Sequence, residues 1–109
     1  SVLGPQEIDM LVLAVANGVK VIALTTHSDC AAEKIAADAE KRKDYPALCA
    51  AVDSREERVE ELLRRPLIAD RMRRGELIIE WLNVDTLHVG TTKYQPSRPT
   101  LQAVVGGGR

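Results

Sequence analysis

The sequence predicts an α/β protein with a parallel β-sheet core flanked by helices. Val19 to Thr25 is a mainly apolar run rich in β-branched residues, the pattern of a strand covered on both faces. It breaks at a short polar turn, His27-Ser28-Asp29-Cys30, and restarts as an alanine-rich segment, the order of a strand–loop–helix unit. A second apolar run, Leu77 to Leu82, comes after a long helical stretch, as a parallel crossover requires. In such sheets ligands gather outside the carboxyl ends of the strands, and His27 and Cys30 fall at that end.

The elements follow in order. Pro5 suits the first position of a helix, where its missing N–H would be unpaired anyway. Ile8, Leu11, Val12 and Val15 repeat at helical spacing and Asn17-Gly18 supplies a stop, so a helix is expected over 5–17. The first strand occupies 19–25. Ser28 or Asp29 then caps a helix over 30–43, whose Ala31, Ala32, Ile35, Ala36 and Ala39 form a slim face able to lie close to a sheet. Asp44-Tyr45-Pro46 breaks it, and Pro46 starts a further turn. Ser54 and Glu57 fit a capping box, ahead of an apolar stripe of Val59, Leu62 and Leu63. Pro66 interrupts or restarts that helix, Leu67, Ile68 and Met72 continue its apolar face, and Gly75 closes it. After the strand at 77–82, residues 83–86 read as a turn and 87–89 as a short returning strand. From Gly90 onward the density of Thr, Pro, Ser and Gly predicts loop and tail, which places the domain at 1–89 and the tail at 90–109.

Two strands do not make a stable parallel sheet covered on both faces. The sheet is therefore expected to be completed by another copy of the chain, as a homodimer or higher oligomer, or by N-terminal strands missing from this segment. The opening Ser1-Val2-Leu3-Gly4, without methionine, fits a processed or partial chain.

At 109 residues the chain is one domain, and roughly two-thirds of its unfolded surface would be buried. A net charge of −1 gives no basic field for nucleic acid or an anionic membrane, and no stretch approaches the ~20 apolar residues of a membrane span. No secretory pattern opens the chain, so Cys30 and Cys49 read as thiols or ligands rather than a disulfide, and cytoplasm is the expected location.

A thiolate and an imidazole three residues apart can reach one borderline cation, and zinc takes this ligand mixture. Two ligands do not complete a zinc site, since a catalytic one uses three protein ligands and an open position. The plainer alternative makes Cys30 a small buried residue and His27 a hydrogen-bonded loop histidine.

Wider context adds to the metal reading. Gly18-Val19-Lys20-Val21-Ile22 leading into His27-Ser28-Asp29-Cys30 resembles the central segment of β-class carbonic anhydrases, where a glycine and a hydrophobic strand precede His-Ser/Thr-Asp-Cys-Gly opening a helix. The segment 58–75, RVEELLRRPLIADRMRRG, is similar to that family's late helix pair, and 76–89, ELIIEWLNVDTLHV, to its following strand, turn and short strand. Pro5 to Asn17 matches the helix before the central strand, so the resemblance spans residues 4–89 in consistent order. It implies a β-carbonic anhydrase-like fold and reversible hydration of carbon dioxide to bicarbonate. It also implies one zinc per chain, with His27 and Cys30 as two of three ligands and Asp29 in a supporting role beside them. In the family the third ligand is an earlier cysteine in Cys-x-Asp-x-Arg, whose Asp and Arg control access to the metal. No such motif precedes His27 here, and Ala31 stands where the family has glycine. Ala51-Val52-Asp53-Ser54-Arg55 spells the motif without its cysteine but lies after the HSDC segment, and Cys49 reads as a buried structural thiol. The alternative that follows is a non-catalytic binding or assembly module of the same fold.

Other features weigh less. Arg64, Arg65, Arg71, Arg73 and Arg74 are interleaved with Glu56, Glu57, Glu60, Glu61 and Asp70, which predicts a solvated face with ion pairs. Trp81 reads as core or interface and His88 as structural. Gly106-Gly107-Gly108 has no strand before it or helix after it, so it is no phosphate loop. A Cys30–His27 nucleophile pair at i, i+3 across a turn has poor geometry for proton transfer.

Overall fold

The computed structural model describes residues 3–28, 30–86, 88 and 90–104. Among the described residues, ten short elements follow one another: α1 (Pro5–Ala16), β1 (Val21–His27), α2 (Ala31–Ala36), a 3-10 turn (Lys41–Asp44), α3 (Pro46–Asp53), α4 (Arg55–Arg64), α5 (Pro66–Arg73), β2 (Ile78–Asp85), β3 (Gly90–Lys93) and α6 (Pro99–Gln102). The strands form one mixed sheet in the order β1-β2-β3. β1 and β2 run parallel, with Val21 opposite Ile78 and His27 opposite Val84, while β3 returns antiparallel along β2. The α/β class holds, and the parallel core is a pair of strands edged by an antiparallel third.

Prolines open α1, α3, α5 and α6, each at a position whose N–H would go unused. At the start of α1 the Glu7 carboxylate also accepts the Gly4 N–H at 3.0 Å. Two helices end in the same way. After α1, the Val19 N–H reaches the Ala14 carbonyl and the Gly18 N–H the Val15 carbonyl; after α5, Glu76 reaches Arg71 and Gly75 reaches Met72. These paired bonds need a left-handed residue at the turn, and Gly18 and Gly75 have φ of 104° and 73°.

One sheet face is packed. Strand alternation puts Ile22, Leu24 and Thr26 on the same side as their register partners Ile79, Trp81 and Asn83. Ile22, Ile79 and Trp81 are buried there against Ile8 and Val15 of α1, Val59 and Leu62 of α4, and Ile68 of α5. Full burial of each large aliphatic side chain contributes about 1.5–3 kcal/mol. The expected covering of both faces is not met: Val21, on the alternate positions of β1, is 50% exposed.

Several boundaries differ from expectation. β1 starts two residues late because Val19 is used in the turn that closes α1, and it runs on through His27. The helix expected over 30–43 ends at Ala36. There the Asp38 carboxylate accepts the N–H groups of Glu40 and Lys41, a local bond that competes with helix continuation. Ser54 makes no capping bond; its hydroxyl turns back to the Ala51 carbonyl at 3.4 Å, so the expected capping box with Glu57 is absent. The returning strand expected at 87–89 lies largely outside the described residues, and the strand that returns antiparallel along β2 is Gly90–Lys93. The segment read as loop and tail thus contributes β3 and α6, and Leu101 of α6 is a core residue.

Candidate functional site

The carboxyl ends of the parallel strands are tied together by one serine. The Ser28 N–H donates to the Val84 carbonyl at 2.9 Å, and the Ser28 Oγ accepts the Thr86 N–H at 2.8 Å. The two hydroxyls lie 3.0 Å apart, and Thr86 Oγ1 donates to the Ser28 carbonyl at 3.3 Å. Ser28 therefore clamps the turn to the end of β2 instead of capping a helix. Cys30 occupies the N-cap of α2, partly buried, and its side chain makes no capping bond. Asp29 lies outside the described residues.

His27 is the last residue of β1 and is exposed. Its Nδ1 lies 3.2 Å from the Ser28 carbonyl. A carbonyl oxygen only accepts, so a hydrogen bond here uses Nδ1–H as the donor, the tautomer in which Nε2 carries the lone pair. Histidines that ligate metals commonly hold a backbone carbonyl in this way. His27 and Cys30 thus supply two donors of the type zinc takes. Among the described residues, no group of three or more His, Cys, Asp and Glu side chains is placed to hold a metal ion, so this pair alone is an incomplete set.

The other sequence candidates sit elsewhere. Cys49 is 2% exposed in α3, within electrostatic range of Arg42, whose guanidinium bonds the Ala36 carbonyl at 2.7 Å and Asp53 at 2.6 Å. The bond to Asp53 raises the Arg42 pKa and lowers that of Asp53. Asp53 and Arg55 do not pair with each other; Arg55 meets Glu33 of α2 at 2.7 Å. The arginine cluster is an ion-pair face: Arg71, Arg73 and Arg74 surround Asp70, and Arg65 reaches Asp9 at 2.7 Å. Exposed His88 bonds Asp85 through both its N–H and its ring, the latter at 3.1 Å.

A cavity of about 820 Å³ opens on the packed face of the sheet, beside the carboxyl halves of β1 and β2. Thr26 and Asn83 meet in its wall at 2.8 Å, with Trp81, Arg55, Glu33 and Tyr94 around them. Neither His27 nor Cys30 is among the residues that line it. Sequence reasoning missed this cavity. A signal existed: Thr26 and Asn83 are polar residues at positions whose alternation partners Ile22, Leu24, Ile79 and Trp81 are apolar, and the parallel register sets the two opposite each other.

The stretch Tyr94–Ser97 forms one side of the cavity and leads into α6. Two α4 carboxylates pin it. Glu56 accepts from the Ser97 hydroxyl and, at 3.0 Å, from the Arg98 N–H; Glu60 accepts from Arg98 and the Thr100 hydroxyl. Burial pushes the Glu56 pKa up, but the bonds from Ser97 and Arg98 outweigh it and hold the carboxyl below its ordinary value. Thr100 foremost, then Arg98, lowers that of Glu60. A carboxylate with a depressed folded pKa stabilises the fold above its unfolded value, about 4.3, and loses that contribution as pH falls through the folded pKa. The urea midpoint is therefore expected to fall between pH 7 and pH 3.5. Glu60→Gln should narrow that fall, because the amide does not titrate; an unchanged difference between the two pH values would show that the strap carries none of it.

No protein-family model, no curated protein and no solved structure matches the chain. Among the described residues, no helix is long and apolar enough to cross a membrane.

Proposed function

We propose that the chain is a β-carbonic anhydrase-like module whose His27 and Cys30 are two ligands of one zinc, completed by a ligand from outside this pair. Its reaction is the reversible hydration of carbon dioxide to bicarbonate. The observation that supports this reading is the histidine itself: it stands at the carboxyl end of a parallel strand with its Nδ1 against the Ser28 carbonyl, a contact in which Nε2 carries the lone pair a metal would take. Ser28 holds the turn against β2, which keeps His27 and Cys30 at the same end of the sheet. When bound, zinc supplies the activated nucleophile for carbon dioxide.

A second reading, a non-catalytic assembly module of the same fold, draws on a different observation. β1 is an edge strand of the sheet, and Val21 at its start and Val19 just before it are 50% and 42% exposed. Such a strand suits pairing with another copy as a homodimer or higher oligomer.

Elemental analysis of protein purified without added metal or chelator separates the two. Close to one zinc per chain, with carbon dioxide hydration lost on chelation and restored by zinc, is the result expected of the enzyme. Protein free of zinc that also fails to take it up would overturn the metal reading and leave the assembly module.

A further inference from the structure

We propose that the cavity on the packed sheet face binds an organic cation with an apolar body, at a site separate from His27 and Cys30. At about 820 Å³ it lies within the ~300–1,000 Å³ range of small-molecule sites. Its wall is mainly aliphatic and aromatic, with Leu11 of α1, Leu24 of β1, Val59 of α4 and Trp81 of β2 contributing. Such a wall accepts an apolar body whatever its head group, because the driving force is the area removed from water.

Charge selects the head. Glu7, Glu33 and Glu56 all line the cavity, and Arg55 is the one basic residue among its lining side chains. Arg55 is already bound to Glu33 at 2.7 Å. Among the described residues, the hydrogen bonds to the Glu7 and Glu56 carboxylates come from uncharged groups, the Gly4 N–H for the first and the Ser97 hydroxyl and Arg98 N–H for the second, with the Arg98 charge felt at Glu56 only across space. The Arg98 guanidinium is held by Glu60. The wall therefore carries two carboxylates in excess over cations. An anionic head would add a like charge to it, and an ammonium head would relieve it.

The chain contains a single tryptophan, and that residue lines the cavity, so Trp81 emission reports on occupancy. The full-length chain is titrated at low ionic strength with decylammonium chloride, 1-decanol and sodium decanoate, three probes that share one tail. Emission is followed together with stoichiometry by calorimetry. The expected result is saturable one-to-one binding in the order ammonium, alcohol, carboxylate. The first step should be about tenfold, the preference given by two net charges about 6 Å away in a water-like medium. In 1 M salt, where the Debye length is about 3 Å, the step should largely vanish. Glu7→Gln keeps an acceptor for the Gly4 N–H and removes one charge, so it should lower the ammonium preference and leave 1-decanol binding unchanged. Equal or tighter binding of decanoate would overturn the proposal. So would no saturable change with any probe, or a concentration-dependent dimer that closes the cavity against all three.

Discussion

Trp81→Ala should lower the stability of the fold by about 3–5 kcal/mol, the range for emptying a large buried aromatic site. Set against a typical total of about 5–15 kcal/mol, that loss leaves a substantial unfolded fraction. The reason is position. Trp81 is 2% exposed in the central strand, opposite Leu24 across the parallel ladder, and its ring meets Tyr94 edge-on with centroids 5.8 Å apart. Its carbonyl also accepts the Tyr94 N–H at 3.1 Å, so the residue fixes the chain as it leaves β3. Trp81→Phe should behave differently. Among the described residues, Trp81 Nε1 is the one buried side-chain nitrogen or oxygen without a hydrogen-bond partner. Burying such a donor unpaired costs about 1–3 kcal/mol, and phenylalanine removes that cost while giving up part of the packing. The net change should stay within about 2 kcal/mol. Urea unfolding followed by far-UV circular dichroism measures both variants without needing the indole. A phenylalanine variant as unstable as the alanine one would show that the N–H is satisfied in solution.

The strands were legible because apolar and β-branched residues concentrate there: LIIEWL holds the buried Leu77, Ile79 and Trp81, and VKVIALT holds the buried Ile22, although Val19 and Val21 are themselves exposed. Their limits were not, because they depend on neighbours. Val19 is taken by the turn that closes α1, and Asn83 to Asp85, which read as turn residues, are held extended by pairing with β3. β3 itself, Gly-Thr-Thr-Lys, is exposed and has no apolar period, so only its partner strand makes it one. The strap at 94–102 looked like tail for the same reason. Its anchors, Glu56 and Glu60, lie about forty residues earlier and resemble any other helix-surface glutamates in sequence. His27 and Cys30 were legible as a pair because they are close in the chain. Arg55 and Glu33 are joined only by the fold, in which α2 packs on α3 and α3 on α4, and no local pattern announces them.

The cysteines give the sharpest separation of the readings of the zinc site. If Cys30 is a ligand, Cys30→Ser should take bound zinc from near one per chain to near zero, because a serine hydroxyl stays protonated at neutral pH and is not among zinc's usual protein ligands. Cys49→Ser should leave the zinc content unchanged. Cys49 is buried in α3, so its loss acts on packing alone. His27→Gln should match Cys30→Ser in zinc content while the fold stays intact, since His27 is exposed and its ring makes a single bond, to the adjacent carbonyl. Zinc by elemental analysis and far-UV circular dichroism on the same samples distinguish a lost ligand from a lost fold. Were Cys49→Ser to release the metal while Cys30→Ser kept it, the HSDC turn would be a structural clamp, with Ser28 rather than its neighbours as its working residue.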